Sequence, residues 1–492
     1  MKLLTLAVFL LIAGTRFWLI SKHGFELPYW DQWDAEALYL YEPYLQGTLS
    51  WQDLLQPHNE HRIFFTRIIA LALLRLNGQW STILQMTVNA GIYAGNGTSL
   101  FAFLGRALSP RPRIALAASC ALLFALPFGW ENTLQGFQSQ FYLLTGCALA
   151  AIWLLCSSRP WSRSWLLGGL IASCALFTMA SGFFACAAVL AIIGLELLRR
   201  ETRWTDLGRF YLPTIVLCCG LIACAVAMLP FVAEHQTLKA DSITIFMAAL
   251  GPCLAWPLQI SDCWSVVNWL PFVLLLALYI GRLVPNRHGI RFTLALGVWV
   301  LLQCVATAFG RAYTDPAHIS RYMDIFSIGL LVNILCGYFL IATASKRSAL
   351  RRLHLAVVVL WLAGNSIGLA LLTNKNLQQE LPQRDKQMAV LTRNTSILLA
   401  SNGIFNPLEI RSVQFPYPDP YRLAKIIQLS MVREILPPSL APRQETKALT
   451  TLAKTIADSG TWLLIIGLAL FITGIVRTIS SPKFSPDVSD EG

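Results

Sequence analysis

The sequence predicts an all-α polytopic membrane protein: 12 transmembrane helices, further helices on the outer face, and a small extracytoplasmic segment near the C-terminus. Three observations predict it. The 492 residues are 55% apolar and only 13% charged, whereas a soluble chain of this length divides into two or three domains carrying far more charge. Apolar runs of 18 or more residues recur along the chain. Those runs are solidly apolar rather than alternating, which excludes barrel strands and leaves helices as the structure that satisfies every backbone group in lipid.

The first span covers about 3–20. It has the length of a signal peptide, but Arg16, Phe17 and Trp18 stand where a small-residue cleavage site belongs, so it reads as uncleaved. The basic groups Arg106/Arg111/Arg113, Arg159/Arg163, Arg199/Arg200/Arg203/Arg209, Arg282/Arg287/Arg291, Lys346/Arg347/Arg351/Arg352 and Arg477/Lys483 are assigned to the cytoplasm. The following spans then fall at about 80–105, 114–129, 137–156, 165–180, 183–198, 208–230, 264–283, 292–310, 322–343, 353–373 and 460–478, with both termini cytoplasmic. Two apolar stretches break the parity, 62–77 and 243–260. The first carries Arg67 and Arg75, the second Pro252 and Pro257, and both are read as interfacial or re-entrant helices of the outer face. The domains are a membrane module (1–373, with its first outer loop at 21–79), an extracytoplasmic segment (374–459), and a last span with a cytoplasmic tail (460–492).

The net charge of +12 needs no nucleic acid, because basic inner loops account for it. Most of the twelve cysteines lie inside apolar runs, where cysteine acts as a small hydrophobe. There is no CxxC and no Cys/His zinc spacing; Cys253 and Cys263 remain a candidate pair.

This threading leaves the inner loops short and basic and puts every long, chemically mixed segment outside: 21–79, 130–137, 231–262, 311–321 and 374–459. In the last of these, two stretches read as amphipathic helices, "PLEIRSVQF" as a short strand and "PYPDPY" as a turn. So small a core is marginal alone, so the segment is expected to pack over the outer mouth. Asn394-Thr395-Ser396 is a glycosylation sequon.

The first outer loop holds Asp31, Asp34, Glu36, Glu42, Asp53 and Glu60 with His58 and His61. "TLSWQDLL" reads as a helix start capped by Ser50 and Asp53, and Glu36 and Glu42 read as structural. Asp31 and Asp34 lie close to the bilayer between Trp30 and Trp33, and three residues apart on a helix they would share a face. A partly desolvated carboxylate there can serve as a general base; capping or ion pairing is the structural alternative. In "HNEHR", Glu60 is a second candidate catalytic carboxylate and Arg62 an anion contact. His58 and His61 have a metal-compatible spacing but no evident third ligand, and a polar helix entry is the alternative.

Arg311, His318, Arg321, Tyr322 and Asp324 stand at the outer ends of two spans. Outward arginines oppose the positive-inside trend, and a lipid-linked phosphate suits their fork; an ion pair of Arg321 with Asp324 or Asp315 is the alternative. Lys239 is a weaker candidate of the same kind. Glu131, Gln135, Gln138 and Gln140 could bond sugar hydroxyls or tie helices together.

The architecture, the acidic loop directly after the first span, and the strings "NEHRI", "GFQSQF" and "SRY" resemble integral-membrane glycosyltransferases of the GT-C superfamily, in a bacterial, polyprenyl-phosphate-sugar-dependent branch. The resemblance implies a polyprenyl-linked sugar donor, a glycan, lipid or protein acceptor, and inverting displacement on the outer face of the bacterial inner membrane. A first-loop carboxylate (here Asp31 or Asp34) would act on the acceptor, and Arg311 and Arg321 would hold the phosphate. The chain lacks a WWDxG string, and its Asp-Gln-Trp-Asp is not a plain DxD. The resemblance therefore fixes no cofactor and leaves a divalent cation open. The inner loops contain no nucleotide motif, as lipid-linked donors require none.

A transporter or lipid flippase is the main rival, yet ionisable residues gather at the outer boundary rather than at mid-membrane. A lipid-linked glycan polymerase usually puts its main outer loop between late spans. A non-catalytic assembly protein would have no use for paired carboxylates.

Overall fold

The computed structural model describes residues 1–106, 108–199, 207–258, 263–344, 349–404, 413–441 and 444–480. Among them every regular element is helical. The proposed strand falls largely on 405–412, and the Cys263 side chain also lies outside the described residues.

Nine helices among the described residues are long and apolar enough to cross a membrane: Lys2–His23, Pro110–Thr133, Gly136–Ser157, Ala180–Leu198, Gly208–Ala227, His288–Gly310, Ser320–Thr343, Arg351–Ala400 and Gly460–Ser480. Three further expected spans also form helices. Thr82–Gly105 is long but threaded with Thr, Asn and Gln; Arg163–Ala175 is short, and so is Trp264–Ile280. The two parity-breaking stretches form helices of 14 residues (Phe64–Asn77) and 13 residues (Ile243–Ala255). At about 1.5 Å per residue neither reaches across a core of about 30 Å.

The first and last long helices lie side by side and antiparallel. Gly460 abuts Gly14, Gly467 abuts Leu11 and Gly474 abuts Leu4, so both chain ends of this pair sit at one end of the bundle. A Cβ on Gly460 would come within 2.5 Å of the Trp18 backbone nitrogen. The seven-residue glycine spacing is what lets the backbones approach.

At the opposite end the segments assigned to the outside meet. His23 bonds Asp385 at 2.7 Å, Glu26 pairs with Lys454 at 2.6 Å, and the Asn376 amide donates to the Pro127 carbonyl. Among the described residues the C-terminal segment shares its core with the first loop. Its Met388, Leu391, Leu423, Ile427 and Leu436 are buried with Leu27, Trp33 and Leu40 of the first loop and with Trp80 just after it, forming a joint cap. Within that cap the buried Glu36 carboxylate accepts from Gln32, Gln85 and Trp80 at 2.9–3.0 Å, consistent with its structural reading. The helix of the span at 353–373 does not end at the expected boundary but runs on through 376–380 into the cap.

Candidate functional site

Asp31 immediately precedes the helix Gln32–Tyr41, which is wound as a π-helix, and its side chain makes no capping hydrogen bond. With i→i+5 hydrogen bonds, a residue three positions on does not return to the same face. Asp31 and Asp34 accordingly diverge, contrary to the shared face expected of an α-helix. Asp34 turns to the C-terminal segment: Arg422 Nε donates to it at 2.7 Å, and the Tyr417 hydroxyl donates to its other oxygen. That pairing ties loop to cap.

Asp31 turns the other way. Its carboxylate lies 3.6 Å from His58 Nε2, and the side chain is 43% exposed, so a substrate can reach it. Burial raises its pKa, but the nearby His58, with the fields of Arg321 and His61, outweighs this and holds it below the ordinary carboxylate value. His58 is fixed by a backbone exchange with His61 (2.7 and 3.0 Å) and by an edge contact with Phe137.

The neighbouring trio joins three outer segments. Glu60 contacts His235 Nδ1 at 2.5 Å and Arg311 at 3.4 Å. Burial pushes its carboxyl upward, but His235 and Arg311 draw it down to about 2. His61 Nδ1 accepts from the Ala180 backbone N–H at 3.1 Å, and burial lowers its imidazole to about 4. Neutral His61 thus serves as a hydrogen-bond acceptor.

Arg321 pairs with Glu131 at 2.9 Å, not with Asp324. Its Nε is buried with no hydrogen-bond partner, so a donor aimed into this region is unspent. Tyr322 stands beside both Arg311 and Arg321. Asp324 instead accepts from Tyr93 and Asn132 at 3.0 and 2.9 Å and lies 3.6 Å from Arg16. Arg16 also donates to the Phe124 and Leu126 carbonyls, and Asn132 to the Arg321 carbonyl. This buried network fastens the 127–133 turn to the first helix and to the start of Ser320–Thr343.

The structure therefore brings together Asp31, His58, Glu60, His61, Glu131, Arg311, Arg321 and Tyr322. It places other candidates elsewhere. Arg62 turns both its terminal nitrogens to the Leu55 and Met228 carbonyls, leaving its buried Nε without a partner. Gln138 lies in a buried amide chain between Gln135 and Gln140, which ties helices. Lys239 is half-buried, and its ammonium donates to Gln236. His318 is exposed and pairs with Asp315 at 2.8 Å. Sequence reasoning passed over His235, although it lies in the "EHQTLKAD" string that supplied Lys239. It also passed over Arg16 as an ion-pair partner; a lone arginine inside an otherwise apolar span was the available signal.

Beside the cluster is a cavity of about 280 Å³ lined by Tyr29, Trp130, Glu131, Gln135, Glu380 and Arg384 among others. The residues do not fit a divalent cation. No group of three or more His, Cys, Asp or Glu with metal-holding geometry occurs among the described residues, and the two aspartates of Asp-Gln-Trp-Asp point apart.

Comparison of the chain with protein-family models, with curated proteins and with solved structures finds no match.

Proposed function

We propose that this protein is a membrane glycosyltransferase moving a sugar from a polyprenyl-phosphate donor to an extracytoplasmic acceptor. The carrying observation is one cluster in which an accessible first-loop carboxylate, Asp31, lies within the electrostatic field of Arg321, whose Nε has no partner, with Tyr322 beside both Arg311 and Arg321 and Glu60 on Arg311. The proposed topology has 12 spans in the cytoplasmic membrane of a bacterium, both termini inside and the cap outside. The antiparallel pairing of the first and last helices fits that topology, and so does the meeting of the long segments at the other end.

In the reaction, Arg321 and Arg311 take the donor phosphate, each still sharing its guanidinium with a carboxylate. The acceptor hydroxyl attacks the anomeric carbon from the face opposite the phosphate. Its oxygen forms the new bond, the carbon–phosphate-oxygen bond breaks with its electron pair leaving on the lipid phosphate, and the proton passes to Asp31. The depressed carboxyl of Asp31 is ionised at neutral pH and needs no prior deprotonation. His58 orients it, and the arginines stabilise the departing charge.

A transporter or flippase is the alternative reading, and the buried Arg16–Asp324 pair is the observation that favours it. That pair is fully engaged with backbone carbonyls and neighbouring side chains, which suits a fastening better than a moving charge. Proteoliposomes containing the purified protein and a radiolabelled polyprenyl-phosphate hexose decide between them. Loss of label from the lipid to a water-soluble or acceptor-linked product, abolished in Asp31→Asn, supports transfer; movement of intact labelled lipid between leaflets supports the rival.

A further inference from the structure

The cavity beside Glu131 does not end there. It shares Tyr29 and Gln387 with a second, larger one of about 550 Å³ that runs beneath the cap. Trp30, Phe415, Tyr417 and Tyr421 line this second part, with Gln414. The two cavities thus adjoin at Tyr29 and Gln387, one lined by the C-terminal segment and the other by Glu131, which holds Arg321, and together they form a groove along the joint of first loop and C-terminal segment. Both volumes lie around the range of built ligand sites.

Three features define what the groove fits. Its walls alternate flat aromatic faces with primary amides, each of which offers both donors and an acceptor. Its charges are paired: Glu131 with Arg321, Glu380 with Lys375 at 2.8 Å, and Arg384, which donates to the His23 and Leu134 carbonyls, with Asp385 at 4.0 Å. And Trp30 is held outward by a strained backbone. It is a bulky non-glycine residue at φ +50°, 46% exposed, with its N–H donating to the Pro416 carbonyl at 2.7 Å. Such a conformation costs free energy and is kept where the surroundings impose it, often at ligand clamps. The same peptide bond that exposes Trp30 leads directly into Asp31.

We propose that this groove binds an uncharged oligosaccharide, whose pyranose faces stack on Tyr29 and Trp30 and whose hydroxyls bond Gln387 and Gln414, with its terminal hydroxyl delivered to Asp31. This names the acceptor class for the proposed transfer and rests on that reading for its last clause. Polyanions lack a net positive wall. An extended peptide has no strand edge to pair with among the described residues, which leaves only a proline-rich segment as a peptide rival.

The test uses the full-length protein in nanodiscs, titrated by calorimetry with maltohexaose, cellohexaose and chitohexaose, and in parallel with hexagalacturonate and a proline hexapeptide. The expected result is saturable binding of at least one neutral hexasaccharide. Binding weakens roughly tenfold in Trp30→Ala and in Gln387→Ala and is retained in Trp30→Phe. Thermal unfolding of each variant excludes misfolding as the cause. Binding of none of the neutral hexasaccharides, binding insensitive to Trp30 and Gln387, or preference for the polyanion or the peptide overturns the proposal. Should these results hold while Asp31→Asn still transfers sugar, the groove stands as a glycan site and the transfer reading fails. If Asp31→Asn abolishes transfer but no neutral hexasaccharide binds, the reverse holds.

Discussion

Glu60 and Arg311 are 251 positions apart in the sequence and 3.4 Å apart in space. That contact joins the first outer loop to the turn before the helix Ser320–Thr343, and His235 from a third segment completes it at 2.5 Å from the same carboxylate. Because the pair is only about one-fifth exposed, removing either partner strands a charge. A double-mutant cycle of Glu60→Gln and Arg311→Gln, read by thermal unfolding in detergent, is expected to give a coupling of about 1–3 kcal/mol. Additive effects would mean that the contact does not hold the segments together.

Asp31 and Asp34 separate by role. Asp31→Asn is expected to lower transfer by about 10²–10⁴-fold with the melting temperature unchanged, as for loss of a general base. Asp34→Asn is expected to act on the cap. It removes the charge that Arg422 pairs with and one of the two oxygens that Arg422 and Tyr417 share, and makes the C-terminal segment more susceptible to limited proteolysis; the charge swap Asp34→Arg with Arg422→Asp restores part of the protection.

Acid sensitivity follows from His61 and then Glu60. The folded state holds His61 near 4, against 6.5 for an ordinary imidazole, so between these values the unfolded chain binds a proton that the folded chain does not. Stability therefore declines as pH falls from 6.5 toward 4. Glu60, held at about 2 against 4.5, contributes above 4.5 and loses that contribution as pH drops toward 2. Melting temperature against pH is expected to fall across the first window in the wild type and to flatten there in His61→Gln.

Helix packing offers a test away from the site. Gly467 lies against the Leu11 backbone nitrogen, with an added Cβ at 3.1 Å. Gly467→Ile forces the first and last helices apart and is expected to destabilise the protein by roughly 1–3 kcal/mol, measured by unfolding in detergent. Replacement of the outward-facing Ile466 by Leu serves as the neutral control.

Much of this was legible in the chain. Solid apolar runs gave the helical membrane class, and the basic clusters sorted the segments into two sets, one of which the structure gathers at a single end. The Ser50–Asp53 capping box reads directly from "SWQD" and is present as expected. What escaped was non-local or depended on an unusual helix. The π-winding of Gln32–Tyr41 rotated Asp34 away from Asp31, and spacing rules built on 3.6 residues per turn cannot foresee that. Arg321 had a carboxylate three residues on in Asp324, but Glu131 reached it instead, because Arg16 and Asn132 had already claimed Asp324. The shared core of loop and cap pairs residues hundreds of positions apart, and no local pattern encodes that partnership. The seven-residue glycine repeat at 460, 467 and 474 was in plain view; its meaning needed the first helix beside it.

The most direct measurement is the surface glycan profile of a strain lacking this protein, complemented with wild type, Asp31→Asn or Arg321→Ala at matched protein levels. The account predicts that wild type restores the missing glycan and that neither variant does. Normal glycan from both variants would contradict it.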